Sequence, residues 1–304
     1  MTTARSSTDA FRDQVLDSGL LMGGPVDGLY GRSGTFEEVA AGLENLATRL
    51  GAGEVEDYVR FPPILPRTVF EQTGYLSSFP DLMGSVHSFT GNDRQHAEMV
   101  GLAESGEDWA RSLEPTEVML CSASCHSLYP HLAGVLPEGG RAVQVSSWCF
   151  RHEPSRVLTR MQAFRMVEYV YVGEADTAVV FRDRWIRRGQ DTLVELGLEI
   201  DIVTANDPFF GRGGRLLALS QREEELKFEL VTSFDASASP VAIASSNLHQ
   251  DHFGHIFGMS TSSGEVAHST CFGWGLDRIV LALFHAHGTD PAQWPAAVRA
   301  RLWP

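Results

Sequence analysis

The sequence predicts an α+β protein, an antiparallel sheet flanked by helices. Three observations lead there. Stretches of strand character crowd the middle of the 304-residue chain, while helical periodicity is strongest on either side of them. Trp148 to Glu168 reads as a hairpin, two arms of alternating character joined by the turn-forming Pro154, Ser155 and Arg156. No run of about 18 or more apolar residues occurs, so a membrane span is not expected.

The elements follow in chain order. Residues 1–35 are polar and glycine-rich, which predicts a loosely packed N-terminal arm or a short helix. Phe36 to Leu50 has apolar residues at helical spacing and predicts a helix. Tyr58 to Pro63 predicts a strand ended by its prolines. Thr73 to Pro80 reads as a loop carrying two aromatics, and Asp93 to Leu113 as one or two short helices. Val118 to Pro130 begins as a strand and ends in a proline-terminated turn, ahead of the hairpin. Glu174 to Leu198 predicts a long helix bearing Arg182, Arg184, Arg187 and Arg188, followed by a strand at Ile200 to Val203. After the flexible GRGG, Gly213 to Glu225 predicts a helix; Leu226 to Val231 and Pro240 to Ser246 predict strands. Phe272 to His285 passes from a Gly-rich loop into a strongly apolar helix. With no repeat, low-complexity tract or long linker, residues 1–304 read as a single domain.

Composition narrows the function. A hydrophobic share of 43% and a charged share of 21% are those of a globular protein able to bury a sizeable core. MTTARSSTDAFRDQ lacks the apolar core of a signal peptide, so a cytoplasmic location is expected. The balance of 24 Lys+Arg against 39 Asp+Glu, net −15, disfavours a long nucleic-acid partner but is compatible with a mononucleotide held by a few arginines. Four cysteines, at 121, 125, 149 and 271, are too few for a disulfide scaffold. On spacing alone C-x3-C is a weak zinc signal, and buried reduced cysteines usually only pack.

The hairpin carries the chemistry. Arg151 and Glu153 share one parity on its first arm; Arg160, Gln162, Phe164, Met166 and Glu168 share one on its second. Folded back, the arms bring an arginine, a carboxylate and an aromatic ring over one surface. Arginine offers a planar fork for phosphate, and Phe164 a face for a purine, typically worth ~1–3 kcal/mol. An amphipathic hairpin with salt-bridged surface charges fits the spacing more simply.

FRHEP, RMQAF and VE in this order resemble motif 2 of the class II aminoacyl-tRNA synthetases, particularly the seryl enzymes. The resemblance implies Arg151 on the α-phosphate of ATP, Glu153 on the adenine amino group, Phe164 stacked on adenine, and Arg160 within the same ATP-binding set. GWGLDRIVLAL, Gly273 to Leu283, resembles motif 3 and implies Arg278 on the γ-phosphate. FPPILPR with TGYLSSFP resembles the motif-1 region, which implies a homodimer. Glu229 stands where seryl enzymes carry a carboxylate that helps hold magnesium on ATP. Those enzymes also place a carboxylate just before a Ser-Ser pair, where this chain has Ala242, Ile243 and Ala244 before Ser245 and Ser246. The number or kind of magnesium donors is therefore expected to differ.

No sustained heptads precede the motif-1 region, so the seryl enzymes' tRNA-gripping coiled coil is missing and no tRNA partner is expected. SCHSLYP, SSNLHQDHF, FPPILPR, TGYLSSFP and VHSFTG resemble instead the amino acid:[carrier protein] ligases, stand-alone cores similar to the zinc-dependent seryl enzymes of methanogens. That resemblance implies activation of glycine or alanine with ATP and loading onto the phosphopantetheine thiol of a carrier protein. It implies one zinc held by Cys125, Glu168 and Cys271, with Cys121 an open substitute for Cys125; three ligands leave a fourth position for substrate. Cys149 is left as packing. Residues 206–227 are longer than the seryl enzymes need, and in the resembling ligases an extra helix here receives the carrier. Arg212 and Arg215 would meet an acidic carrier, with Leu216, Leu217 and Leu219 as apolar contact; a surface helix packing its leucines on the core fits the same residues. The alternatives are a truncated seryl-tRNA synthetase, a non-catalytic regulatory relative, and an α+β protein with a purely structural zinc.

Overall fold

The computed structural model describes residues 7–210, 218–219, 221–222, 224–235 and 238–304. Helix α1 (Ser7–Asp17) leads into a hairpin of β1 (Leu21–Gly23) and β2 (Tyr30–Arg32). The expected loose arm is, from residue 11 on, packed: Phe11, Val15, Leu20 and Leu21 are buried in the main core. Phe11 and Val15 are one helical turn apart, a short apolar stripe within a polar stretch. Helix α2 (Gly34–Gly51) starts where Ser33 accepts a hydrogen bond from the Phe36 amide at 3.2 Å and buries Phe36, Val39, Leu43 and Leu46.

Next come β3 (Asp57–Arg60), β4 (Ile64–Pro66), α3 (Arg67–Gln72), α4 (Tyr75–Ser78), β5 (Ser85–Ser88), α5 (Asp93–Glu104), β6 (Glu114–Leu120) and β7 (Gly134–Val135). The aromatic loop of the TGYLSSFP stretch thus contains a short helix. Strands β4, β6 and β5 form a small antiparallel sheet. The remaining elements are β8 (Arg141–Phe150), β9 (Ala163–Gly173), α6 (Ala175–Glu195), β10 (Asp201–Thr204), β11 (Lys227–Thr232), β12 (Val241–Gln250), α7 (His252–Phe257), β13 (Met259–Ser260), β14 (His268–Gly275), α8 (Leu276–His287) and α9 (Ala296–Leu302). No described helix is long and apolar enough to cross a membrane.

The principal sheet runs β10-β11-β12-β14-β9-β8-β3, antiparallel throughout except where β3 joins β8. Its register sorts the side chains. Glu229 opposes Ser245, Ser245 opposes Gly273, and Gly273 opposes Glu168, so this row shares one face. The neighbouring row, Leu230, Ala244, Trp274 and Val167, lies on the other face, within the main core. Helix α6 covers that face, with Trp185 stacked on Tyr169 at 3.7 Å between ring centroids. Gly189 allows the approach, since a Cβ there would fall 2.3 Å from Phe272 Cζ.

Two further expectations need correction. The hairpin is not joined by a three-residue turn: β8 ends at Phe150, β9 begins at Ala163, and residues 151–162 form a long loop. Arg151, Glu153, Arg160 and Gln162 therefore sit off the strands. The loop satisfies much of its backbone through distant partners, the Gln162 amide donating to Gly28 O at 2.9 Å and Thr159 O accepting from Arg278 Nε at 2.7 Å. Only tertiary packing supplies those bonds. Phe272 to Gly275 is likewise strand and not loop. Its glycines alternate with core aromatics, and at Gly273 a Cβ would meet Met166 Cε at 3.1 Å and Glu168 Cγ at 3.2 Å.

Candidate active site

The polar face of the sheet carries a cleft whose lining includes Arg151, Phe164, Lys227, Glu229, Ser245 and Arg278. Arg278, in the first turn of α8, is held by two carbonyls: Nε donates to Thr159 O at 2.7 Å and Nη1 to Ala242 O at 2.9 Å. Burial and the nearby Arg151 charge push its pKa down to about 10, which leaves it protonated at neutral pH. Burial works against the Arg151 charge too, but Tyr75, Cys149, Asp207 and Glu153 outweigh it and its pKa is raised. The Arg151 guanidinium lies 5.4 Å from the Phe164 ring centroid. Its Nε is buried with no hydrogen-bond partner among the described residues. Two fixed cations and an unsatisfied donor make a cleft suited to an anion such as phosphate.

Around this pair, Glu153 lies 3.9 Å from the exposed Arg160. Glu229 lines the cleft, with Lys227 Nζ 3.3 Å away. Lys227 also pairs with Asp207, which Gln221 holds through a 2.8 Å bond. Burial opposes the Asp207 charge, yet Lys227 and Gln221 bring its pKa below the usual carboxylate value. Sequence reasoning missed Lys227 and Asp207. The available signal was the period-2 spacing of Lys227 and Glu229, which puts both on one face.

At the β9–β14 pairing three acidic side chains converge. Cys125 comes from a short 3₁₀ turn, Glu168 from β9 and Cys271 from β14; all are buried and their ligand atoms lie within 4.8 Å of one another. Glu168 Oε1 accepts from the backbone amides of Ser124 at 2.8 Å and Cys125 at 3.3 Å, which orients it. The neighbouring Cys271 thiol, burial and the Glu168 charge push the Cys125 thiol well above its usual range. Without a metal this raised pKa keeps the Cys125 thiol protonated, and two thiols with an oriented carboxylate this close together are a donor set that suits zinc. Cys121 is not in the group: its thiol donates to Ala123 O at 3.2 Å, and a hydrogen bond with Cys149 lowers its pKa.

Of the histidines in SCHSLYP and SSNLHQDHF, His249 borders this group. His249 Nε2 is 3.8 Å from Cys271 Sγ and its Nδ1 3.2 Å from Ser269 Oγ. His126 Nδ1 lies 3.3 Å from Ser122 Oγ. Burial pushes their pKa values down to about 3 and about 4, so both rings are neutral at pH 7. Arg212, Arg215, Leu216 and Leu217, expected to meet a carrier, lie outside the described residues; Leu219 is exposed.

The chain is 43% identical over 283 residues to amino acid–[acyl-carrier-protein] ligase 2 of Bradyrhizobium diazoefficiens, covering 92% of this chain and 84% of that protein. Ligase 1 of the same organism is 42% identical over 275 residues, with 90% and 84% covered. The type-2 serine–tRNA ligase of Methanopyrus kandleri is 27% identical over 284 residues; they are 86% of this chain but 53% of that enzyme, so the chain spans about half its length. Among solved structures, the M. kandleri seryl-tRNA synthetase in complex with A. aeolicus tRNASec aligns with a TM-score of 0.80 at 22% identity, covering 99% of this chain and 60% of that one. The seryl-tRNA synthetase of Pyrococcus horikoshii complexed with ATP aligns at 0.71 and 13% identity, covering 99% and 64%. The fold is thus that of a class II aminoacyl-tRNA synthetase catalytic core. No protein-family model matches the chain.

Proposed function

Because the chain belongs to the family of amino acid–[acyl-carrier-protein] ligases, we propose that it activates a small amino acid, glycine or alanine, with ATP and passes it to the phosphopantetheine thiol of a carrier protein. One observation carries this reading: the cleft with Arg151 and Arg278 runs up to Gly273, which directly opposes Glu168 of the Cys125–Glu168–Cys271 group. A phosphate-binding surface and a metal-binding group thereby share one sheet face.

In this proposal the substrate carboxylate oxygen attacks the α-phosphorus, the bond to the bridging oxygen breaks, and pyrophosphate leaves. The carboxylate is already ionised at pH 7, so this step needs no general base. Arg151 neutralises the α-phosphate, and Arg278 takes the γ-phosphate and then the departing pyrophosphate. Phe164 stacks on adenine, Glu153 accepts from its amino group, and Arg160 belongs to the same ATP-binding set. Glu229 serves the magnesium that accompanies ATP. Cys125, Glu168 and Cys271 would hold a zinc, whose chemistry when bound is to offer a Lewis-acidic position to a neutral amine. In the second half-reaction the carrier's thiol sulfur attacks the acyl carbon and AMP leaves. Catalysis rests mainly on positioning and electrostatics. Larger amino acids are rejected by clash, because a missing methylene alone is worth only ~1–3 kcal/mol.

Residues 206–227 receive the carrier. A homodimer is part of the same reading, supported by α5, none of whose residues is buried within the chain. The net charge of −15 weighs against tRNA as the acceptor. ATP–pyrophosphate exchange across the twenty amino acids tests the proposal: exchange with glycine or alanine, much weaker exchange with serine, and no transfer to tRNA are expected. Robust aminoacylation of bulk tRNA by the protein would overturn it.

A further inference from the structure

The hairpin of β1 and β2 lies outside every motif of the ATP cleft, yet it is bonded to both elements that carry the cleft's arginines. We propose that it is a strap that sets the spacing of Arg151 and Arg278, acting through Gln162 as a positioning residue.

The first attachment is at the turn between β1 and β2. Gln162 is 4% exposed, its amide donates to Gly28 O at 2.9 Å, and its side-chain Nε2 donates to Asp27 O at 2.8 Å. Its own carbonyl accepts from the Arg151 amide at 2.9 Å. Gln162 is therefore the link between the turn and the backbone of Arg151. The fit is close. Gly28 has φ +80°, and a Cβ there would meet Arg160 O and Gln162 Cγ, each at 3.2 Å. Both the left-handed backbone and the contact call for glycine.

The second attachment is at the end of β2. Arg32 Nε donates to Asp277 Oδ1 at 2.7 Å, and its Nη2 donates to Ala163 O at 2.9 Å. Asp277 immediately precedes Arg278, whose Nε is tied to Thr159 O in the same 151–162 loop. The hairpin thus fastens the loop at Gln162, the first residue of β9 at Ala163, and the start of α8. Adenylyl transfer is sensitive to placement: a shift of about 1 Å can cost on the order of 100-fold. Loosening the strap should therefore be felt at ATP and not at the amino-acid or metal site, which stands on β9, β14 and the Cys125 turn.

This inference rests on the reading that Arg151 and Arg278 hold the ATP phosphates. It is tested with the full-length chain carrying Gln162→Met, Gly28→Ala, and both, by ATP–pyrophosphate exchange with ATP and amino acid varied separately. Each single variant should raise the KM for ATP on the order of tenfold or more. The amino-acid KM and the zinc content should stay close to the parent's, while the urea midpoint falls modestly, because Ala at φ +80° and the lost Gln162 bond each cost some stability. The double variant should be little worse than the poorer single one, because both act on one path. An unchanged ATP KM in both singles overturns the strap, as does a parallel rise in the KM values for ATP and for the amino acid. Should Gln162→Met fail to fold, Gly28→Ala decides by the same criteria. Loss of exchange in the parent would strike the functional reading instead.

Discussion

At the residue scale, three side chains each make a separable prediction. Cys271→Ser should remove bound zinc and amino-acid activation together while the fold persists, read by metal analysis and circular dichroism. Full metal occupancy would refute the ligand assignment, and unfolding would point to a structural metal. Arg151→Ala should abolish pyrophosphate exchange, since it removes the planar fork beside Phe164. Asp277 is a different case. It is 1% exposed and accepts from Arg32 and Arg165, whose guanidinia pack within 4.6 Å and 5.0 Å of the Trp148 ring. Asp277→Ala leaves those charges without their shared partner, and a loss of roughly 3–5 kcal/mol is expected. Glu37, 2.6 Å from Arg165, should hold it to the lower end. Urea denaturation measures this, and a loss under about 1 kcal/mol would place the cluster with ordinary surface ion pairs.

At the scale of elements, the two half-reactions are assigned to different parts of the chain. The sheet face is proposed to carry activation, and residues 206–227 to receive the carrier. Carrier proteins are generally acidic, so an enzyme of net −15 needs a local basic contact to dock one. Arg212→Glu with Arg215→Glu should leave exchange near the parent's level and sharply reduce loading at low carrier concentration. If loading survives the reversal, the docking surface lies elsewhere, and the exposed Arg184 and Arg187 of α6 are the next to test.

At the scale of the whole molecule, α5 has an Asn92–Gln95 capping box but no buried residue; within the described residues it meets mainly the short turn at Trp109–Ser112 and Phe89, and is otherwise uncovered. A second copy of the chain is expected to cover it. Sedimentation should report twice the chain mass, and Val100→Glu, at a residue already 38% exposed, should shift the protein towards monomer with little change in helix content. A monomeric parent would remove the dimer from the reading.

What the sequence determined by itself was what short-range periodicity can encode. Period-2 spacing placed Phe164, Met166 and Glu168 on one face of β9, and apolar spacing located α2, α6 and α8. The order of the motifs pointed to a synthetase-like core. Tertiary structure decided which of those faces meet. Cys121 and Cys125 look alike in sequence; the fold of the short turn puts Cys125 beside Glu168 and Cys271 and leaves Cys121 to Cys149. The long 151–162 loop and the packed N-terminal hairpin were illegible for the same reason. Their bonds join residues more than a hundred positions apart, as from Gln162 to Asp27 or from Arg278 to Thr159, and a partner that distant leaves no period in the local sequence.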